Sequence, residues 1–293
     1  MHEMKRSLSD RSFSLINGFL LIMFFLLCIY PFYYVLIYSL SNPSEAQKGI
    51  TLFPRGFTFN NYVRVFQLEG MFTSAFVSLL RTICGTAITI VCCSFFAYLV
   101  SKQEMCGRKI VYRFLVITMY FNSGLIPWYL TMKTYHLNNS FLLYIIPSAI
   151  SAYYIVLLKT FIEQMPQSLE ESAKLDGAGY FMIFRKVIFP LSKPIIATIA
   201  VFAAVGQWNS WFDNYILVQN DQLKTLQLVL YEYLNKASSI AQQTDKTHGV
   251  VIQITPQAVR MTITTVVTIP ILFVYPFMQK YFVKGIMLGA IKG

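Results

Sequence analysis

The sequence has few charged residues, which excludes an ordinary soluble globular protein. Asp, Glu, Lys and Arg make up only 13% of its 293 residues, about half their share in an average soluble domain. Hydrophobic residues make up 56% and gather in long continuous runs. Runs of this kind are typical of a polytopic membrane protein, in which each run crosses the bilayer.

Motifs for nucleotide binding and catalysis are also absent. The chain has no Gly-x-x-x-x-Gly-Lys-Ser/Thr loop, no His-Glu-x-x-His and no Gly-x-Ser-x-Gly. It is therefore not expected to bind ATP in the P-loop manner, to hold a cofactor or to act as an enzyme. Carboxylates are nearly absent from the apolar runs, so the usual relay of a proton-coupled carrier is missing.

Cysteine and histidine offer no metal site. Cys28, Cys84, Cys92 and Cys93 lie inside apolar runs, Cys106 lies in a short polar link, and no CxxC spacing occurs. The three histidines stand far apart. We interpret the cysteines within the runs as small apolar residues of a membrane-embedded core.

The apolar runs predict an all-α fold with six transmembrane helices. Each run is long enough for the ~20 residues that a bilayer core requires, and none shows the alternation of barrel strands. The first is too long for a signal peptide, so an uncleaved span is expected. The predicted spans are residues 15–40, 74–100, 110–132, 141–162, 195–218 and 257–282.

The distribution of Lys and Arg predicts the orientation. With the N-terminus inside, the cytoplasmic segments hold 15 of these residues and the outer segments hold 7, as the positive-inside rule requires. The net charge of +11 is thus a topology signal and not a nucleic-acid footprint. A cytoplasmic tail (1–14) precedes one transmembrane domain (15–293), in which links 101–109 and 163–194 face the cytoplasm and links 41–73 and 219–256 face out.

Arg81 and Arg260 are left over, each near the outer end of a span. Their side chains either snorkel to the interface or carry a charge in a transport path, and we favour snorkelling. The outer segment 219–256 predicts a short helix at about 226–235.

A polar island at 168–179 interrupts the apolar sequence between spans four and five. Ser168 and Glu171 have the spacing of a capping box, which predicts a helix from about Leu169 to Leu175. Gly177 and Gly179 then break it. A second helix is expected over 180–189, with Pro190 and Pro194 leading into span five. The island is either a surface connection between two spans or a docking element for a soluble partner.

The island resembles the cytoplasmic "EAA" signature of binding-protein-dependent ABC importer permeases. The match is Glu-Ser-Ala-Lys-Leu-Asp-Gly-Ala at 171–178, followed by Ile-Phe-Pro at 188–190. Ser172 replaces Ala and Phe189 replaces Leu. The six spans and the ending at 279–293 are similar to the maltose-type carbohydrate permeases, above all to a subgroup that imports oligosaccharides, including uronate-containing ones, mostly in Gram-positive bacteria.

This resemblance implies a coupling helix that docks into a cytoplasmic ATPase. It implies three kinds of partner besides membrane lipid: a second permease subunit, an ATPase dimer that binds the ATP, and an extracytoplasmic sugar-binding protein. Asp176 either pairs with the ATPase or caps the turn, and the tail 285–293 is a second candidate contact. The implied ATPase-coupling residues are Ser168, Glu171, Ala173, Asp176, Gly177, Ala178, Ile188 and Pro190.

The most polar stretch within a span is residues 207–214 of span five. Indole faces stack on sugar rings and amides bind hydroxyls, so these side chains are candidates for a sugar path. The alternative is an outer interfacial belt, where Trp is common. Asn122, Gly124 and Pro127 interrupt span three in a similar way. The candidate path residues are Gln207, Trp208, Asn209, Trp211 and Asp213.

The sequence thus predicts a multi-pass permease subunit of a carbohydrate ABC importer in a bacterial plasma membrane, with both termini cytoplasmic. An ABC permease for a non-sugar solute and a stand-alone secondary carrier remain open alternatives.

Overall fold

The structure is a computed structural model that describes the backbone of residues 8–49, 52–243 and 255–290, and the side chains of 12–49, 52–235 and 255–273. These ranges are helical and contain no β-strand. The α-helices are α1 (Leu8–Ser39), α2 (Pro43–Ala46), α3 (Asn60–Gln67), α4 (Met71–Ser101), α5 (Arg108–Thr118), α6 (Leu125–Thr134), α7 (Ala152–Ile162), α8 (Ser168–Leu175), α9 (Tyr180–Ile183), α10 (Phe189–Leu191), α11 (Lys193–Asn209), α12 (Phe212–Leu217), α13 (Leu226–Gln243) and α14 (Pro256–Ala290).

Shorter helical turns complete the architecture: 3₁₀ turns at Phe141–Tyr144 and Asp221–Leu223 and a π turn at Phe184–Ile188. The chain divides into two compact units, Met1–Leu68 with Tyr233–Val266, and Glu69–Glu232 with Val267–Gly293.

In the first unit, the segment that follows α1 is held by polar contacts. The Asn61 amide donates to the carbonyls of Ser39 and Ser41, both at 2.8 Å. Beside these contacts, Tyr38, Ala46 and Ala258 form a small buried cluster. The large apolar side chains of α1 from Phe13 to Phe32 are exposed. Such exposure is expected for a helix that is surrounded by lipid.

In the second unit, α4 is the central helix and packs against α7 and α11. Its core positions include Cys93 and Ala97, which pack against Ile155, Leu158 and Ile199. Small residues on such a face let helix backbones approach closely, which is how helices associate in membranes. Cys93 is therefore a packing residue, as predicted, and all five cysteines are free thiols.

Three described helices are long and apolar enough to cross a bilayer: Ser12–Ser39, Met71–Ser101 and Pro256–Phe273. They correspond to the predicted spans one, two and six. A fourth candidate is a helix pair, Tyr180–Leu191 with Lys193–Asn209, which is bent by 80°.

The predicted spans four and five are not single continuous helices, and span three is interrupted as its sequence predicted. Span three breaks between α5 and α6, where Gly124 has a φ of 82° and its N–H donates to the Asn122 side chain. Span four is a 3₁₀ turn, a non-helical stretch and the short α7. Span five breaks at Ser210, whose backbone is extended. The break at 119–124 lies where the Asn-Ser-Gly sequence predicted an interruption.

The outer helix predicted at 226–235 is present as the first part of the longer α13. For the tail 285–293, the side chains lie outside the described residues, so its predicted ATPase contact remains a prediction.

Candidate functional site

The polar island forms a short helix, α8, but not through the predicted capping box. The residue before the helix is Gln167, and no side chain caps the first turn. The backbone N–H groups of Glu170 and Glu171 donate to the Gln167 carbonyl at 3.0 and 3.1 Å. The helix thus begins one residue earlier than the box requires, which places Ser168 inside the first turn and not at the cap.

The C-terminal end of α8 confirms the predicted glycine turn. Gly177 has a φ of 77°, in the left-handed region. Its N–H donates to the Lys174 carbonyl at 3.0 Å, and the N–H of Ala178 reaches back to the Ala173 carbonyl at 3.0 Å. These two bonds form a Schellman motif, which closes the helix sharply. Gly179 has an ordinary φ of −73° and is not needed for the break.

Ion pairs fasten α8 to the link that follows α4. Lys174 Nζ donates to Glu104 Oε1 at 2.8 Å, the Tyr180 hydroxyl donates to Glu104 Oε2 at 2.9 Å, and Lys102 pairs with Glu170. The hydrogen bond from Lys174 holds the pKa of Glu104 below its ordinary value. A cavity of about 310 Å³ lies between the link and the helix.

The outward face of α8 exposes an apolar side chain. Leu175 is 89% exposed, the largest exposed fraction among the described large apolar side chains. Glu171, Asp176 and Gly177 are exposed around it. Ala173 and Ala178 face the other way and pack against the core of the second unit. The helix is thus held on one side by the core, while its C-terminal tip is exposed.

The helical segment 180–191 connects α8 to α11. It begins as predicted, but residues 184–188 form a π turn, in which the N–H of Phe189 donates to the Phe184 carbonyl. Ile188 is 1% exposed and lies in the core. Pro190 does not end the helix, which continues to Leu191. A wide turn fits here because Pro190 cannot donate the next backbone hydrogen bond.

In the N-terminal half of α4, Arg81 contradicts the snorkelling prediction. Its side chain is 4% exposed and forms a bidentate pair with Asp213, with Nη1–Oδ1 at 3.1 Å and Nη2–Oδ2 at 2.5 Å. Its Nε donates to Gln207 Oε1 at 2.9 Å, and Nη1 also donates to the Ser210 carbonyl at 3.3 Å. We call Arg81, Gln207, Ser210 and Asp213 the arginine clamp.

The clamp gathers only two of the five predicted path residues. Trp208 donates its indole N–H to the Val267 carbonyl at 3.0 Å, and Asn209 accepts from Gln227 at 3.1 Å. Trp211 stacks on Tyr231 with ring centroids 4.1 Å apart. Trp208, Asn209 and Trp211 therefore do not join Gln207 and Asp213 in the arginine clamp.

The sequence did not predict the roles of Tyr144 and Ser148. Both belong to the predicted span four and contact the arginine clamp. The Arg81 guanidinium lies 4.5 Å from the centroid of the Tyr144 ring. Gln207 Nε2 and the Ser148 hydroxyl lie 2.6 Å apart. The Pro-Ser sequence at 147–148, within an apolar run, was the signal that could have found this break.

Arg260 belongs to the other unit. It is partly buried, and its Nη2 donates to the Leu234 carbonyl at 3.3 Å. The snorkelling prediction for Arg260 therefore stays a prediction.

Known proteins resemble the chain over nearly its whole length. The family described as "binding-protein-dependent transport system inner membrane component" matches residues 11–288. The polygalacturonan/rhamnogalacturonan transport system permease protein YtcP of Bacillus subtilis is 39% identical, covering 99% of this chain and 100% of that protein. Protein LplC of the same organism is 34% identical over 100% of this chain and 99% of its own length.

A solved structure agrees with the fold. A chain of a bacterial ABC transporter involved in the import of the acidic polysaccharide alginate is 30% identical, with a TM-score of 0.85. The match covers 94% of this chain and 99% of that one.

Proposed function

The chain belongs to the family of binding-protein-dependent transport system inner membrane components, and we propose that it is a permease subunit of an ABC importer for acidic oligosaccharides. Its relatives support this substrate class, because one transports galacturonate polymers and the structural relative imports alginate. The uronate carboxylate is the chemical feature that these substrates share.

The observation that carries the proposal is the exposed tip of α8. A short helix that is closed by a Schellman turn, tied down by ion pairs and tipped with Leu175 at 89% exposure suits a cleft on a soluble partner. We assign that partner as a cytoplasmic ATPase dimer, whose ATP-driven closure would move α8. The contact residues would be Glu171, Leu175, Asp176 and Gly177, with Ser168 at the edge and Ala173, Ala178, Ile188 and Pro190 supporting them.

The assembly follows from this assignment. We propose six crossings with both termini in the cytoplasm, the interrupted helices of spans three to five each forming one crossing. A second permease subunit would complete the translocation path, and an extracytoplasmic binding protein would deliver the oligosaccharide. ATP would be bound by the ATPase and not by this chain.

The docking proposal predicts the effect of Leu175→Asp. Losing a buried Leu from an interface costs about 1.5–3 kcal/mol, which corresponds to a roughly 10- to 150-fold weaker association. We expect the tagged variant to insert normally, to lose the ATPase on purification and to lose uptake of a galacturonate trisaccharide. The substitution leaves the positive φ of Gly177 undisturbed, unlike a change at the glycine itself.

Leu175→Met is the matched control, because it keeps the apolar contact and should keep both the ATPase and uptake. Full co-purification and uptake with Leu175→Asp would contradict docking through this tip. Uptake of a neutral arabinose trisaccharide in place of the galacturonate one would overturn only the substrate class.

A further inference from the structure

Arg81 is buried in a long apolar helix and uses its guanidinium on three different acceptors. It contacts the Asp213 carboxylate, the Gln207 amide oxygen and the Ser210 carbonyl. A guanidinium is a planar fork of five N–H donors, so it can reach all three at once, whereas the ammonium of Lys is a single point of charge. The geometry therefore uses the shape of Arg and not only its charge.

The three acceptors lie on both sides of one interruption. Gln207 is in α11, Asp213 is in α12, and Ser210 lies between the two helices. Asp213 also accepts from the Ser210 hydroxyl at 3.2 Å and from the backbone N–H of Asn214 at 2.9 Å. Arg81 thus fixes the end of one helix, the break and the start of the next to a single point on α4.

Two cavities meet at the same point. One, of about 510 Å³, reaches towards Asn122 and Trp128. The other, of about 300 Å³, reaches towards Thr89 and Tyr154. The residues that line both are Arg81, Ser148 and Ser210.

We propose that Arg81 is a positioning residue of the transport pathway, which locks the interruption at 210–211 and maintains the wall between the two cavities. The Asp213 carboxylate acts as its counter-charge, and Gln207 with Ser148 extends the wall. Only the uptake readout of the following test rests on the proposed transport function.

The test compares Arg81→Lys, Arg81→Gln, Asp213→Asn and the Arg81→Gln/Asp213→Asn double variant in the full purified complex. The rate of hydrogen exchange of the backbone amides of 212–217 reports how firmly Arg81 holds the interruption at 210–211. Each of the two neutralising single variants leaves a buried charge unpaired and should speed exchange by about tenfold or more. The double variant leaves no unpaired charge. The exchange rate of 212–217 should therefore rise less in the double variant than the sum of the two single-variant effects predicts.

Arg81→Lys separates positioning from charge neutralisation. It keeps the charge and should insert and purify normally, but it should still speed exchange at 212–217 and lower the maximal rate of galacturonate trisaccharide uptake. Wild-type exchange and uptake with Arg81→Lys would overturn the proposal, as would additive effects in the double variant. Lys159→Gln is the matched control, because that Lys pairs with Glu163 beside Arg108, past the C-terminal end of α4, whereas Arg81 lies in the N-terminal half of the helix. This variant should leave the exchange of 212–217 unchanged.

The two proposals fail in different ways. If the wild-type complex does not take up the trisaccharide, the substrate class is wrong, while the exchange data still decide the role of Arg81. If uptake occurs but exchange at 212–217 is the same in every variant, the lock is wrong and the transport function stands.

Discussion

Gly85 lies in α4 directly beneath the side chain of Gln207. A Cβ built at this glycine would lie 2.4 Å from Gln207 Nε2 and 2.6 Å from its Cδ, closer than any real contact. Gly85→Ala should therefore push Gln207 off Arg81 and Ser148 and lower the free energy of unfolding by about 1–3 kcal/mol, the usual cost of overpacking. Thermal unfolding of the purified complex in detergent measures the effect.

Gly206→Ala is the control for Gly85→Ala, because it is also in a membrane helix but has open space around the new methyl group. It should leave the unfolding temperature unchanged or raise it, since Ala suits a helix better than Gly. Equal destabilisation by both substitutions would show that the approach of Gln207 to Gly85 is not the cause.

The role of Arg81 could not be predicted from the sequence. Hydropathy places the residue near one end of a span but does not say which face of the helix it occupies. Its partners Gln207 and Asp213 are 126 and 132 residues away, and no local pattern links positions so distant. Snorkelling was the wrong prediction because it considered the helix alone, without the polar break that packs against it.

At the scale of elements, Glu104 joins the link after α4 to α8. Its pKa is lowered by the hydrogen bond from Lys174, so the folded state favours the ionised carboxylate. Its contribution is therefore fully present above the ordinary value of 4.5 and is lost as the pH falls through the lowered value. We expect the protection factors of the α8 amides in the complex to fall over that acid range.

Glu104→Gln tests this assignment, because it removes the carboxylate and should give low protection factors for the α8 amides at every pH. Glu69→Gln serves as the control, since this exposed carboxylate precedes α4, at the end of that helix away from Glu104; it should keep the wild-type profile. A profile that Glu104→Gln leaves unchanged would assign the acid sensitivity to another group.

Helix α8 shows which elements the sequence can predict. Its length and its glycine turn depend on backbone preferences within ten residues, so they were predicted correctly. The capping box failed because the backbone carbonyl of Gln167 satisfies the same N–H groups that Ser168 was expected to bind. The interruptions in spans four and five depend on contacts with α4, and hydropathy averages over them.

At the scale of the whole molecule, the native Cys106 tests the proposed orientation. This cysteine is exposed in the link between α4 and α5, which we place in the cytoplasm. A membrane-impermeant maleimide should label it in inside-out vesicles and not in sealed right-side-out vesicles. The experiment uses a chain in which Cys106 is the sole exposed thiol, with Cys28 replaced by Ala.

Gln219→Cys, in a chain with Cys106 replaced by Ser, is the opposite control. Position 219 is exposed in the link that we place outside, and its backbone N–H donates to Asn139 Oδ1. It should be labelled in right-side-out vesicles alone. Labelling of both positions from the same side would mean that the number of crossings between them is even and that the six-crossing topology is wrong.

The π turn at 184–188 makes the rotation of α8 about its own axis depend on the number of residues in the helical segment that follows it. Each residue of an α-helix turns the chain by about 100°, and the wide turn between α9 and α10 holds one residue more than an α-turn. If α8 docks on an ATPase as proposed, a subunit with an ordinary turn here would present a different side of α8 to the same ATPase. Exchange of ATPases between related importers would then depend on a single residue far from the interface itself.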